Sequence, residues 1–155
     1  MDAVKIESPS FRDGGWIPAE HTADGVESPV PLEFDGVPAD AVSLALVVHD
    51  PDVSRESRPD GVFDHWVVWN IPAEQRRLSA HDAHVGVVGR NTSGDNAWTG
   101  PAPPAGDAPH RYVFALYALD AVLELSDSAG RHELESAMAG HVLEEAVMTG
   151  RYQRE

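Results

Sequence analysis

The chain contains no cysteine, and of its eleven basic residues only Lys5 is a lysine. Without cysteine there is no disulfide, no thiolate nucleophile and no cysteine-ligated zinc. Without clustered lysine and arginine there is no electrostatic footprint for nucleic acid. No apolar run approaches the ~20 residues that cross a bilayer. The opening stretch, MDAVKIESPSFRDGG, lacks the basic and apolar regions of a signal peptide. These absences predict a cytoplasmic protein that binds no nucleic acid and does not insert stably into membranes.

What is abundant is acid. Twenty-six Asp and Glu give a formal charge of −15 over 155 residues. The acids are scattered rather than gathered into a tail, so they read as an acidic, solvated surface. In dilute buffer such a surface repels itself; at about 1 M salt the Debye length is about 3 Å and the repulsion is screened. This pattern suggests a halophilic source. The length predicts a single domain over 1–155, large enough to bury roughly 70% of its unfolded surface.

Turn signals recur along the chain, among them RDGG, FDGVPAD, HDPD, RPDG and NTSGDN, with short apolar runs between them. That rhythm predicts an all-β sandwich or barrel. Residues 42–49 put Val42, Leu44, Leu46 and Val48 on one face. Residues 63–70 put Phe63, His65, Val67 and Trp69 on one face, with Asp64, Trp66, Val68 and Asn70 opposite. Residues 110–119 place His110, Tyr112, Phe114 and Leu116 together. AHVGVVGRN (83–91) is a shorter, glycine-broken strand, and VPLEF (30–34) an edge strand, because Pro31 cannot donate to a ladder. SRESRPDG (54–61) is the most polar loop. Near the C-terminus Leu134, Met138, Val142 and Ala146 are four apart, which predicts helix. Asp127 or Ser128 would cap it, Gly140 would divide it into two short helices, and Gly150 would end it.

Two histidines each head an apolar strand. His110 and Tyr112 share a face, and His65 leads the face of Val67 and Trp69. If the strands pair, both imidazoles meet at one end of a sheet. They read either as two walls of one site or as two separate core histidines with backbone partners. Asp50 ends the stripe of Leu46 and Val48, and a buried acid needs a partner or a cavity mouth; DPD also reads as a plain turn. The loop TGPAPPAGDAP (99–109), with four prolines and two glycines, has little entropy to lose and ends at His110. It is either a preformed wall for a ligand or a rigid crossover.

Taken in order, SPSFRDGG, SLALVVHDPD, FDHWVVWNIPA, GRNTSG, WTGPAPPAGDAPHRYVFALYALD and LESAMAGHVLEEAVMTGRY resemble the phosphatidylethanolamine-binding protein family. The resemblance is greatest to its prokaryotic Raf-kinase-inhibitor-like branch and runs from about Ser8 to Tyr152. It implies an antiparallel β-sandwich with a Greek-key connection and short C-terminal α-helices. It also implies a small pocket for phosphate, phosphoryl head groups or carboxylates. Carried over residue by residue, that pocket holds Asp50, His65, Gly100, Pro101, His110 and Tyr112. Asp52 supports it at the rim, and His141 is a neighbour from the C-terminal helix. Ala23 and Ala102 stand where the family usually has cysteine. AWT at 97–99 replaces the commoner Gly-Tyr, which places the bulkier Trp98 at the pocket entrance. Relatives in this branch are often dimers, so the resemblance also points to a homodimer.

In such a pocket the imidazoles, the Tyr112 hydroxyl and backbone N–H groups near Gly100 would donate to phosphate oxygens. Asp50 would repel a bare phosphate. It could instead orient an imidazole, raise its protonated fraction, or accept a proton or amine from a zwitterionic or protonated ligand. Two further readings compete with a binding protein. Asp50, His65 and His110 could form the acid/base site of a small hydrolase or, with His49, a metal site. No Ser or Cys nucleophile motif and no HxH or HExxH spacing supports either, so no catalytic residue, metal or cofactor is assigned. A regulatory partner role follows only by analogy with kinase inhibition in animal relatives.

Overall fold

The computed structural model describes residues 3–82 and 85–155. Its strands are β1 (Lys5–Glu7), β2 (Leu32–Asp35), β3 (Ser43–Asp50), β4 (Phe63–Pro72), β5 (Arg77–Leu78), β6 (Val87–Val88), β7 (His110–Leu119) and β8 (Val142–Tyr152), with helix α1 (Arg131–Met138) before the last. Two antiparallel sheets form, in the orders β1-β2-β5 and β6-β4-β3-β7-β8. After β6 at one edge, the chain returns across the end of the large sheet and enters β7 beyond β3, a Greek-key return. The sheets share a core that includes Ile6, Leu32 and Phe34 from one side and Leu46, Val48, Phe114 and Leu116 from the other. Fully burying a side chain of this kind stabilises by roughly 1.5–3 kcal/mol. A second apolar cluster lies on the opposite face of the large sheet. There Val47, Val67 and Trp69 meet Leu134 and Met138 of α1.

Several expectations change. Residues 142–152 are a strand, not a second helix, and they pair along nearly all of β7. A spacing of four is even, so it keeps side chains on one face of a strand as well as of a helix. Gly140 (φ +83°) ends the helical segment. Gly150 lies inside β8, where a Cβ would press on Phe11 and Ile17. The cap of α1 is Gly130, not Asp127 or Ser128; the Ser128 hydroxyl is engaged with Ser126. β2 starts after Pro31 and is the middle strand of its sheet, not an edge. Val42 precedes β3 and is half exposed. The strand read at 83–91 shrinks to β6, and Ala83 and His84 lie outside the described residues.

The consequential change is in β4. Val48 of β3 sits opposite Trp66, but the next residue, His49, sits opposite Asp64. His65 is therefore an extra residue, a β-bulge. A bulge breaks the period of two and re-aims side chains. Beyond it, Val67 and Trp69 face α1 while Trp66 and Val68 face the inter-sheet core. His65 does not follow Val67 and Trp69. It turns to the inter-sheet side with Trp66, its ring 5.2 Å from that of Tyr112. Asp64 goes the other way and pairs with Arg131 of α1 at 2.7 Å.

Candidate functional site

β3 lies between β4 and β7, so the strands that carry His65 and His110 never pair with each other. All three reach the same end of the sheet, and a cavity of about 330 Å³ opens there. Of the residues expected at the site, Asp50, His65, Gly100, His110 and Tyr112 line this cavity. Asp50 is carried there by the stripe of Leu46 and Val48, His65 by the bulge, and His110 and Tyr112 by simple alternation along β7.

His110 is the most tightly held. It is buried, and both ring nitrogens meet carboxylates: Nδ1 lies 2.6 Å from Asp50 and Nε2 3.0 Å from Asp107. Carboxylates are acceptors only, so the ring satisfies both by donating twice, as an imidazolium. Burial works against that charge, but the hydrogen bonds the ring donates to Asp50 and Asp107 outweigh this and raise the His110 pKa above its ordinary value. Burial raises the Asp50 carboxyl, against the pull of His110 and the Asp52 N–H. Both Asp50 oxygens are committed, since Oδ1 accepts the Asp52 N–H at 2.7 Å. Of the roles open to Asp50, it fills two: it orients the His110 imidazole and raises its protonated fraction.

His65 is arranged differently. Its Nδ1 lies 2.7 Å from the carbonyl oxygen of Thr99. A carbonyl only accepts, so Nδ1 carries the proton. Burial lowers the His65 pKa to about 4, although the Thr99 bond opposes that shift. The ring is neutral near pH 7, and Nε2 is a lone pair. Nε2 and the Tyr112 hydroxyl are both buried and have no hydrogen-bond partner among the described residues. Burial also raises the Tyr112 pKa, so the hydroxyl keeps its proton. The expectation that both imidazoles donate is therefore corrected at His65.

Gly100 is corrected in role. Its N–H is taken by the Glu27 carboxylate at 2.8 Å and is not free for a ligand. A Cβ there would come 2.8 Å from the Thr22 backbone, so the loop needs glycine for close approach. Pro101 is buried beside the cavity rather than on it, its carbonyl accepting the Ala23 N–H. Asp52 faces outward, where it takes the N–H and guanidinium of Arg111 and clamps the DPD turn to β7. Trp98 is not at the entrance. It is core, stacked on Phe114, with its indole N–H donating to the His21 carbonyl. His141 pairs with Asp120 at the end of the β7–β8 pair away from His110. His49 points to the α1 face of β3, and so it cannot join Asp50, His65 and His110 in one metal set. Among the described residues no group of three or more His, Asp or Glu is placed to hold a metal ion.

Sequence reasoning missed Arg58, Ser54 and Ser57, which wall the cavity from the polar loop after the DPD turn. Arg58 lies over the Phe63 ring, 5.4 Å from its centre. It also missed Asp107. The available signals were an arginine in the loop joining two site strands and an acid three residues before His110.

The description "phosphatidylethanolamine-binding protein" belongs to the family model that matches residues 7–153. The chain is 42% identical over 157 aligned residues to a UPF0098 protein of Methanothermobacter thermautotrophicus, across 97% of this chain and 99% of the relative. Among solved structures it is similar to a phosphatidylethanolamine-binding protein homologue from Chlamydia trachomatis, with 38% identity, TM-score 0.93 and full coverage of both chains. It is also similar to YbcL of Escherichia coli, with 26% identity, TM-score 0.88 and coverage of 99% and 100%.

Proposed function

The chain belongs to the phosphatidylethanolamine-binding protein family, and on that premise we propose that it is a ligand-binding protein whose cavity takes a small oxyanion. The ligand is a phosphate, a phosphoryl head group or a carboxylate. The observation that carries this reading is the Asp107 carboxylate on His110 Nε2. Asp107 is half exposed, whereas His110 is buried. An external oxyanion can take its place against a donor that stays fixed by Asp50. Arg58 adds a permanent positive charge to the cavity lining. Each charge-assisted bond of this kind is worth about 1.5–3 kcal/mol.

The hydrolase alternative gains no specific observation: Asp50 is spent on His110 and the Asp52 N–H. A regulatory role and a homodimer are carried forward as parts of the same proposal, to be tested by pull-down and by mass in solution.

Calorimetric titration at high salt with phosphate, phosphoethanolamine and acetate tests the reading. At least one should bind, and His110→Ala should weaken it about tenfold or more. Asp107→Asn should strengthen it several-fold by removing the internal competitor. Silence in every titration of the folded protein sinks the oxyanion pocket.

A further inference from the structure

We infer that this cavity discriminates among oxyanions by requiring one that still carries an acidic proton, which His65 Nε2 accepts. The inference rests on the oxyanion reading and narrows it. Inorganic phosphate fulfils the requirement at neutral pH, because it keeps at least one P–OH. Sulfate, a phosphodiester and a fully ionised phosphomonoester do not.

Because His65 is the extra residue, its ring leaves the α1 face and lines the cavity. The Thr99 carbonyl then fixes which nitrogen is protonated, since only an N–H can meet it at 2.7 Å. Nε2 is left as a buried acceptor without a partner among the described residues, on a residue only 5% exposed. A bare oxyanion oxygen set against that lone pair has no proton to share, and the contact is repulsive. A P–OH set there donates to it and makes a hydrogen bond.

The surroundings agree. The other charged groups facing the cavity are Asp50, Asp107, His110 and Arg58. Two of these are carboxylates, which favour a ligand of lower negative charge. The Tyr112 hydroxyl, also without a partner among the described residues, can donate to a second ligand oxygen while His110 donates to a third. The walls thus offer an acceptor and several donors to one tetrahedral group. Phosphate and sulfate share shape and size, so a preference between them reads the proton alone. The lowered His65 pKa supports the same assignment, because the ring stays neutral throughout the neutral range.

The test is competitive calorimetry on the full chain near pH 7, comparing inorganic phosphate with sulfate and methyl phosphate with dimethyl phosphate. Phosphate should bind at least about tenfold more tightly than sulfate, and dimethyl phosphate should not bind. The amide of His65→Gln can turn its NH2 toward the cavity, so the phosphate/sulfate ratio should fall toward one in that variant. If the variant does not fold, the wild-type ratio decides alone. Equal affinity for phosphate and sulfate overturns the inference and leaves the oxyanion pocket standing. Failure of every oxyanion, acetate and phosphoethanolamine included, overturns both. A one-to-one zinc complex lost in His65→Gln also overturns the inference, by giving the lone pair to a cation.

Discussion

At the scale of single residues, two histidines in one cavity carry opposite protonation, and the backbone decides which is which. His65 is neutral because it is buried and bound to a carbonyl; His110 is charged because two carboxylates flank it. Their effects on stability have opposite signs. The folded pKa of His65, about 4, is below the unfolded value near 6.5, so the unfolded state binds more protons between the two. Stability is lost as pH falls through that window, by roughly 3 kcal/mol at most. His110 is raised, so its contribution is present below the ordinary histidine value and is lost as pH rises through the folded one. His49, lowered by burial, adds to the acid-side loss. Denaturant unfolding of wild type and His65→Leu from about pH 7 to about pH 4 checks this. The variant should lose distinctly less stability across the window; parallel curves would reject the assignment. His110 and Tyr112 were legible in the sequence because alternation holds unbroken through β7. Asp107 and Arg58 were not, because loop side chains reach the cavity by paths that no period describes.

At the scale of elements, β4 shows what periodicity can and cannot give. Its existence, burial and apolar faces were plain in FDHWVVWN. The facing of His65 was not, because one unpaired residue exchanges the faces on either side of it. A second irregularity follows at Asn70, which has φ +54° and is fastened in both directions to the backbone of Leu123. The tail was half legible: α1 formed where Leu134 and Met138 recur, while Val142 and Ala146 belong to a strand that keeps the same even spacing. The bulge also sends Asp64 to the ion pair with Arg131, both partners being about 85% buried. Removing the cation leaves a carboxylate with poor solvation. Arg131→Met should cost about 1–3 kcal/mol, and Asp64→Asn in the same chain should recover part of it. A thermal melt of the two variants measures the effect. An Arg131→Met protein as stable as wild type would mean that α1 is held by Leu134 and Met138 alone.

At the scale of the whole molecule, the sandwich was legible from the turn rhythm. The charge of −15 makes a prediction about salt rather than about function. Thermal melts from about 0.1 to about 3 M KCl should show the midpoint rising steeply at first, as the Debye length contracts from about 10 Å to a few Å. A midpoint indifferent to salt refutes the halophilic reading. The same melts should show one transition if residues 1–155 unfold as a unit. The bulge at His65 has a last consequence, for which changes of length the chain can survive. The loop between β3 and β4 is exposed and can gain or lose residues at small cost. Deleting a single residue at position 65 would instead restore a flat ladder. It would remove the cavity's acceptor while leaving Asp64 and Trp66 facing as before. In a library of one-residue deletions, position 65 should thus separate folding from ligand binding, while Val67, paired in register with Val47 and with no bulge to absorb the loss, should not.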